Sequence, residues 1–143
     1  MTMDDVLERM LELSKEGFFC GQILLTLALE SEEKENPDLV RAMGGLTGGI
    51  GNAGEVCGAL TGGACFLSYF LGKGEADELE HPEGNRILGE FVEWFREYTS
   101  EYGGISCKCI LQGDERNKIQ RCPMILQAVL EKSMKLLEQH EAI

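Results

Sequence analysis

The stretch of sequence that decides the fold is residues 53–72, which read AGEVCGALTGGACFLSYFLG. No charged residue occurs between Val56 and Gly72. Four glycines, a threonine and a serine interrupt this apolar run, which favours a buried helix over a membrane span. The sequence therefore predicts a central helix from about Ala53 to Leu71 that ends at Gly72.

Glycines recur at every fourth position of this segment, at Gly54, Gly58 and Gly62. Residues with this spacing share one face of a helix. Each glycine in a helix interior costs about 1 kcal/mol relative to alanine, so three on one face indicate a compensating contact. Two interpretations stay open: another helix packs closely there, or the glycines also border a cofactor.

Apolar residues at helical spacing continue on both sides of the central segment. They predict helices over residues 3–15, 18–29, 39–43, 87–98 and 107–111, and a last helix opened by Cys122 and Pro123. No segment alternates with period two. We expect an all-α protein, a compact bundle of about five to six helices around a glycine-rich central helix, with one domain over residues 1–143.

The amino-acid composition excludes several classes of function. The 143 residues are 43% hydrophobic and 27% charged, as in soluble globular proteins, but the net charge is −12. Nucleic-acid binding needs a basic patch, so no nucleic-acid partner is expected. Neither docking on anionic lipid nor membrane insertion is expected. The acidic start of the chain does not resemble a secretory signal, and we expect a cytoplasmic protein with reduced thiols.

Residues 49–54 read GIGNAG, which fits the G-x-G-x-x-G pattern of dinucleotide-binding proteins. That fingerprint requires a strand before the glycines and a βαβ unit around them. The preceding residues look helical, and no strand follows. We therefore expect no NAD.

Six cysteines in a reducing compartment are explained in one of three ways: they bind a metal, take part in redox chemistry, or are buried in the core. No C-x-x-C pair and no haem-attachment motif occurs, so any four-thiolate site must be assembled from distant segments. Cys122 at a predicted helix start would favour a thiolate. We interpret Cys65, beside Phe66, as a small hydrophobic residue that packs in the core. His81 and His140 lie among polar residues and are expected to be solvated.

The run from Gly48 to Gly63, with CGALTG at residues 57–62, resembles the hallmark of the C_GCAxxG_C_C family of redox-active proteins. The resemblance extends along most of the chain. The family's four characteristic cysteines correspond to Cys20, Cys57, Cys107 and Cys122. Cys65 and Cys109 are additional and inherit no role. Similar domains in split-Soret-type cytochromes carry haem and an iron–sulfur centre, and only the iron–sulfur part applies to a chain without a haem motif.

The resemblance implies redox activity, and three hypotheses follow. In the first, Cys20, Cys57, Cys107 and Cys122 ligate an iron–sulfur cluster, with [2Fe–2S] favoured, bordered by Gly54, Gly58 and Gly62. The protein would then transfer electrons with a redox partner protein or sense redox state, as an oxidoreductase component with no catalytic residue assigned.

The second hypothesis is a thiol–disulfide protein in which Cys57 pairs with Cys122 or Cys107, and Cys57 and Cys122 are the redox candidates. The third is a structural zinc site or an inert helical scaffold. An exposed helical face could also let two copies associate as a homodimer.

Overall fold

The computed structural model describes residues 2–142, and this range folds into α-helices without any extended strand. The predicted all-α class is confirmed. Two of the helices are short, and 310 turns occur at Gly44–Leu46 and Ser100–Tyr102. The α-helices in chain order are α1 (Met3–Lys15), α2 (Cys20–Ser31), α3 (Pro37–Met43), α4 (Gly58–Leu71), α5 (Gly84–Tyr98), α6 (Cys107–Leu111) and α7 (Arg116–Gln139).

Local capping explains where the first two helices begin. The Thr2 side chain accepts a hydrogen bond from the Asp5 N–H, and this capping box begins α1 where the sequence predicts it. Helix α2 begins two residues later than predicted because Phe19 is extended. The Gln22 side chain reaches back and accepts the Phe19 N–H at 3.1 Å. These caps fix Cys20 as the first residue of α2.

Helix α4 is the centre of the bundle and contacts α2, α5 and α7. Its apolar residues, which include Leu60, Phe66 and Leu67, are buried. The α5 residues Phe91 and Phe95 are also completely buried. The hydrophobic core is therefore built around the uncharged segment that the sequence singles out.

The closest helix contact lies between α2 and α4. A Cβ atom added to Gly62 would stand 2.7 Å from the Gly21 Cα atom, a separation that real Cβ atoms do not adopt. The two backbones therefore meet where both residues lack side chains. On the next position, Gly63 faces Phe91 and Val129 of the opposite helices. Close helix packing is the role of Gly62.

Helix α4 begins at Gly58 rather than at Ala53, which corrects the prediction. Residues 48–52 all have positive φ, and Gly54 also has φ of +77°. L-residues avoid this conformation, which explains the density of glycine there. The G-x-G-x-x-G pattern thus encodes a tight loop. Gly54 lies in that loop and does not share a helix face with Gly58 and Gly62.

The last helix also differs from the prediction. It begins at Arg116, six residues before Cys122, and Pro123 lies inside it. Asp114 marks the true start, because its carboxylate accepts the Arg116 N–H at 3.0 Å. The first turns carry polar or exposed residues, Ile119 included, so hydrophobic periodicity could not reveal them.

None of the helices within residues 2–142 combines the length and the apolar composition that crossing a bilayer requires.

Glycine-to-alanine substitutions test the close contact. Gly62→Ala should lower the free energy of unfolding by about 1–3 kcal/mol, because the added methyl group pushes α2 away from α4. Gly89 on α5 is the matched control, since an added Cβ there meets no atom within 4 Å. Gly89→Ala should raise stability by up to about 1 kcal/mol. Urea denaturation measures both, and equal effects would contradict the assignment.

Candidate functional site

Four of the six cysteines line a single cavity of about 770 Å³. They are Cys20, Cys57, Cys107 and Cys122, the set that the sequence predicts to converge. They come from the starts of α2, α4 and α6 and from the second turn of α7. Three separate structural devices bring the other thiols toward Cys57.

The crossing of α2 and α4 brings Cys20 toward Cys57. Cys20 directly precedes Gly21, which touches Gly62, and Gly62 lies one turn beyond Gly58. The close approach of the two helix backbones therefore joins their N-terminal ends. Cys20 is the first residue of α2, and Cys57 caps α4.

A short antiparallel bridge between Val56 and Ser106 brings Cys107 toward Cys57. The Cys57 N–H donates to the Ile105 carbonyl at 3.0 Å, and the Cys107 N–H donates to the Glu55 carbonyl at 2.7 Å. Both hydrogen bonds involve the backbone of a cavity cysteine. The bridge thus holds the starts of α4 and α6 together.

Arg121 joins α6 to α7 beside Cys122. Its guanidinium donates to the Ile110 carbonyl at 2.6 Å and to the Gln112 side chain at 3.0 Å. It also lies 4.5 Å above the centre of the Tyr102 ring, a cation–π contact. Because Ile110 is on the same short helix as Cys107, this contact ties Cys107 and Cys122 together.

The three glycines predicted to border a cofactor do not all lie at the cavity. Gly54 and Gly58 line the cavity, whereas Gly62 packs against α2 and is not part of the lining. Cys65 and Cys109 also lie outside the cavity lining. Of the three predicted glycines, Gly54 and Gly58 are therefore the two placed to border a group at the thiols.

The histidines are partly buried rather than freely solvated, which corrects the expectation. His140 Nδ1 lies 3.2 Å from a Glu83 carboxylate oxygen. His81 Nδ1 accepts the Glu83 N–H at 3.1 Å. Neither histidine is part of the cavity lining.

Burial raises the pKa of the two innermost thiols. The pKa of Cys20 rises to about 12, chiefly through burial and then through the neighbouring charges of Cys57, Cys122 and Cys107. The pKa of Cys57, which is only 9% exposed, rises to about 11 for the same main reason. The N–H groups of Ala59 and Leu60 partly offset this by favouring the Cys57 thiolate. Both thiols are protonated at neutral pH.

The pKa values of the two outer thiols, Cys107 and Cys122, are also raised. Burial raises the pKa of Cys122, and the charges of Cys107 and Glu115 add to it, while Lys118 acts in the opposite sense. Burial also raises the pKa of Cys107, and Lys118 again opposes it. The prediction of an acidic Cys122 at a helix start is therefore wrong, because this residue lies inside α7 and is partly buried.

The thiols share a cavity without converging on one point. All six cysteines are free thiols. Within residues 2–142, no three side chains of the His, Cys, Asp and Glu types are grouped closely enough to hold one metal ion. Four sulfur donors therefore line one cavity without such a grouping in the described part of the chain.

The sequence of the chain matches a known protein family. Residues 18–136 match the family described as "Putative redox-active protein (C_GCAxxG_C_C)". The chain belongs to this family. The match includes the four cavity cysteines and the CGALTG segment. No curated protein and no solved structure matches the chain.

Several site residues of this family member escaped the sequence analysis. Lys108 and Lys118 line the cavity, and Gly21 and Arg121 position its cysteines. Three of them are adjacent in sequence to predicted cysteines, which could have drawn attention to them: Gly21 follows Cys20, Lys108 follows Cys107, and Arg121 precedes Cys122. Only the packing of the helices gives these residues their roles.

The raised thiol pKa values predict a loss of stability in alkali. The unfolded thiol titrates near its ordinary value of 9.0, whereas folded Cys57 holds its proton to about 11. Since the unfolded chain loses its proton first, the free energy of unfolding should fall as pH rises from about 9 to 11.

Cys57→Ser should reduce this fall by about 2 kcal/mol in metal-free protein. Cys109→Ser, outside the cavity, is the control. Urea denaturation across this pH range measures both variants. A fall that is unchanged in Cys57→Ser would contradict the raised pKa of the buried thiol.

Proposed function

We propose that this protein binds an iron–sulfur cluster, [2Fe–2S] in the favoured form, and serves in electron transfer or redox sensing. The ligands are Cys20, Cys57, Cys107 and Cys122. The observation that carries the proposal is that these four thiols, from four different helices, line one cavity. Membership of a redox-active family supports the same general role.

The donor set fits such a group. Cysteine thiolates are the usual ligands of iron–sulfur clusters, and four of them hold a [2Fe–2S] core. Each iron of that core takes two protein ligands, so three thiols need not meet at one ion. Gly54 and Gly58 leave room beside the sulfurs, and the Ala59 and Leu60 N–H groups point toward the Cys57 thiolate. When bound, the cluster supplies one-electron redox chemistry.

The electrostatics also favour a cationic metal centre over bare thiolates. Burial is the main reason that the pKa values of Cys20 and Cys57 are raised, and repulsion from neighbouring thiolates adds to it. Metal ions replace the protons and remove this repulsion.

A thiol–disulfide function needs a thiolate at neutral pH, and burial works against one at Cys57. That function therefore ranks second. A zinc site needs its ligands around a single ion. In the described part of the chain these thiols lack that grouping.

Anaerobic expression tests the proposal directly. The isolated protein should be brown, absorb in the visible range, and contain two irons and two acid-labile sulfides per chain. Cys57→Ser should lose most of the iron, sulfide and colour. Cys65→Ser is the matched control on the same helix, and it should retain all three because Cys65 does not line the cavity.

The alternatives give different results. A colourless, iron-free protein from the same preparation would overturn the cluster. One zinc per chain would identify a zinc site, and an oxidised Cys57–Cys122 or Cys57–Cys107 pair would identify the disulfide function. Equal iron loss in Cys57→Ser and Cys65→Ser would show that metal is bound elsewhere.

A further inference from the structure

Charge is distributed unevenly along this acidic chain. Residues 102–130 contain four basic and two acidic residues, whereas the remaining positions contain nine basic and 23 acidic residues. The basic stretch comprises α6 and the first half of α7, which carry Cys107 and Cys122. The positive part of the molecule is therefore at the cysteine cavity.

Two lysines concentrate this charge at the cavity. Lys108 and Lys118 line it and are exposed, and Glu115 is the acidic residue among the lining residues that the structure describes. Within residues 2–142, neither lysine forms an ion pair. By contrast, Arg116 is neutralised by Asp114 at 2.9 Å. The two ammonium groups are available to a partner.

Exposed apolar side chains lie on three of the segments that contribute residues to the cavity lining. Phe19, which lines the cavity, is 49% exposed, and Ile50 on the glycine-rich loop is 51% exposed. Ile119 is 80% exposed and lies four residues after Glu115 and three before Cys122, so it flanks the cavity side of α7. We call Phe19, Ile50, Lys108, Lys118 and Ile119 the cavity rim.

We propose that the cavity rim is the docking surface for an acidic redox protein that exchanges electrons with the group held by the four cysteines. This inference rests on the proposed function. The apolar residues supply the contact area, and the two lysines pair with carboxylates of the partner. Electron transfer is fastest over short distances, and this face brings a partner nearest to the thiols.

The charge distribution gives this surface its selectivity. The rest of the chain is strongly acidic and repels an acidic partner, whereas the rim attracts one. An acidic partner is thereby oriented with its carboxylates toward the cavity. Small, transient interfaces of this kind are typical of electron-transfer pairs.

Carbodiimide cross-linking, which joins a lysine to a carboxylate in direct contact, tests the proposal. The probe is an acidic plant-type [2Fe–2S] ferredoxin, mixed with the full-length protein and analysed by mass spectrometry. Lys108 and Lys118 should carry the cross-links, and the yield should fall at high salt. The double variant Lys108→Gln/Lys118→Gln should lower the yield about tenfold.

Lys132→Gln/Lys135→Gln on the same helix as Lys118 is the matched control and should keep the full yield. Phe19→Ser should weaken binding at high salt as well, because its contribution is apolar. Cross-links centred on other lysines, cross-links between two copies of this chain, or no cross-link would each overturn the proposal. Cross-linking does not require a bound cluster, so failure here is distinct from a failure to find iron and sulfide.

Discussion

The close crossing of α2 and α4 is the contact on which the remaining structure depends. Gly21 and Gly62 let the two helix backbones touch, and a side chain at Gly62 would prevent this contact. This contact places the start of α2 beside the start of α4, and with it Cys20 beside Cys57. Gly62, the last residue of the CGALTG segment, thus affects the site indirectly, because it fixes the relative positions of α2 and α4.

The other two cysteines are held in ways that need little hydrophobic area. Two backbone hydrogen bonds connect the segments before α4 and α6, and one arginine connects α6 to α7. Helix α6 has only five residues, too few to be stable by itself. Its position therefore depends on these polar contacts and on Ile110, which is buried in the core, and Cys107 depends on them in turn.

Burial of four thiols in one cavity has an energetic consequence. The folded protein favours protonated thiols, and each thiolate raises the pKa of its neighbours. Such a cavity is a poor environment for free negative charge, which is one reason that we propose a metal centre there. Lys118 moderates the repulsion only at its outer side, at Cys107 and Cys122.

Local patterns predicted much of the fold but little of the arrangement within the site. The bounds of α1 and α6 were predicted from apolar residues at helical spacing, and the all-α class follows from the missing period of two. The starts of α4 and α7 were wrong, since a left-handed glycine loop and a polar helical turn carry no hydrophobic signal. The shared cavity of the cysteines was predicted through the family resemblance. The roles of Gly62, Lys108 and Arg121 depend on distant contacts that no local pattern contains.

Pro123 divides α7 into two parts of unequal stability. Because proline has no N–H, the Ile119 carbonyl lacks its helical hydrogen-bond partner. The turns before Pro123 are largely exposed, whereas Ile125, Leu126 and Val129 beyond it are buried in the core. The segment that carries Cys122 is therefore held chiefly by the contacts of Arg121 and by little of the core packing that holds the rest of α7. For the cluster that we propose, this less buried segment would be the side from which metal and sulfide reach the inner thiols.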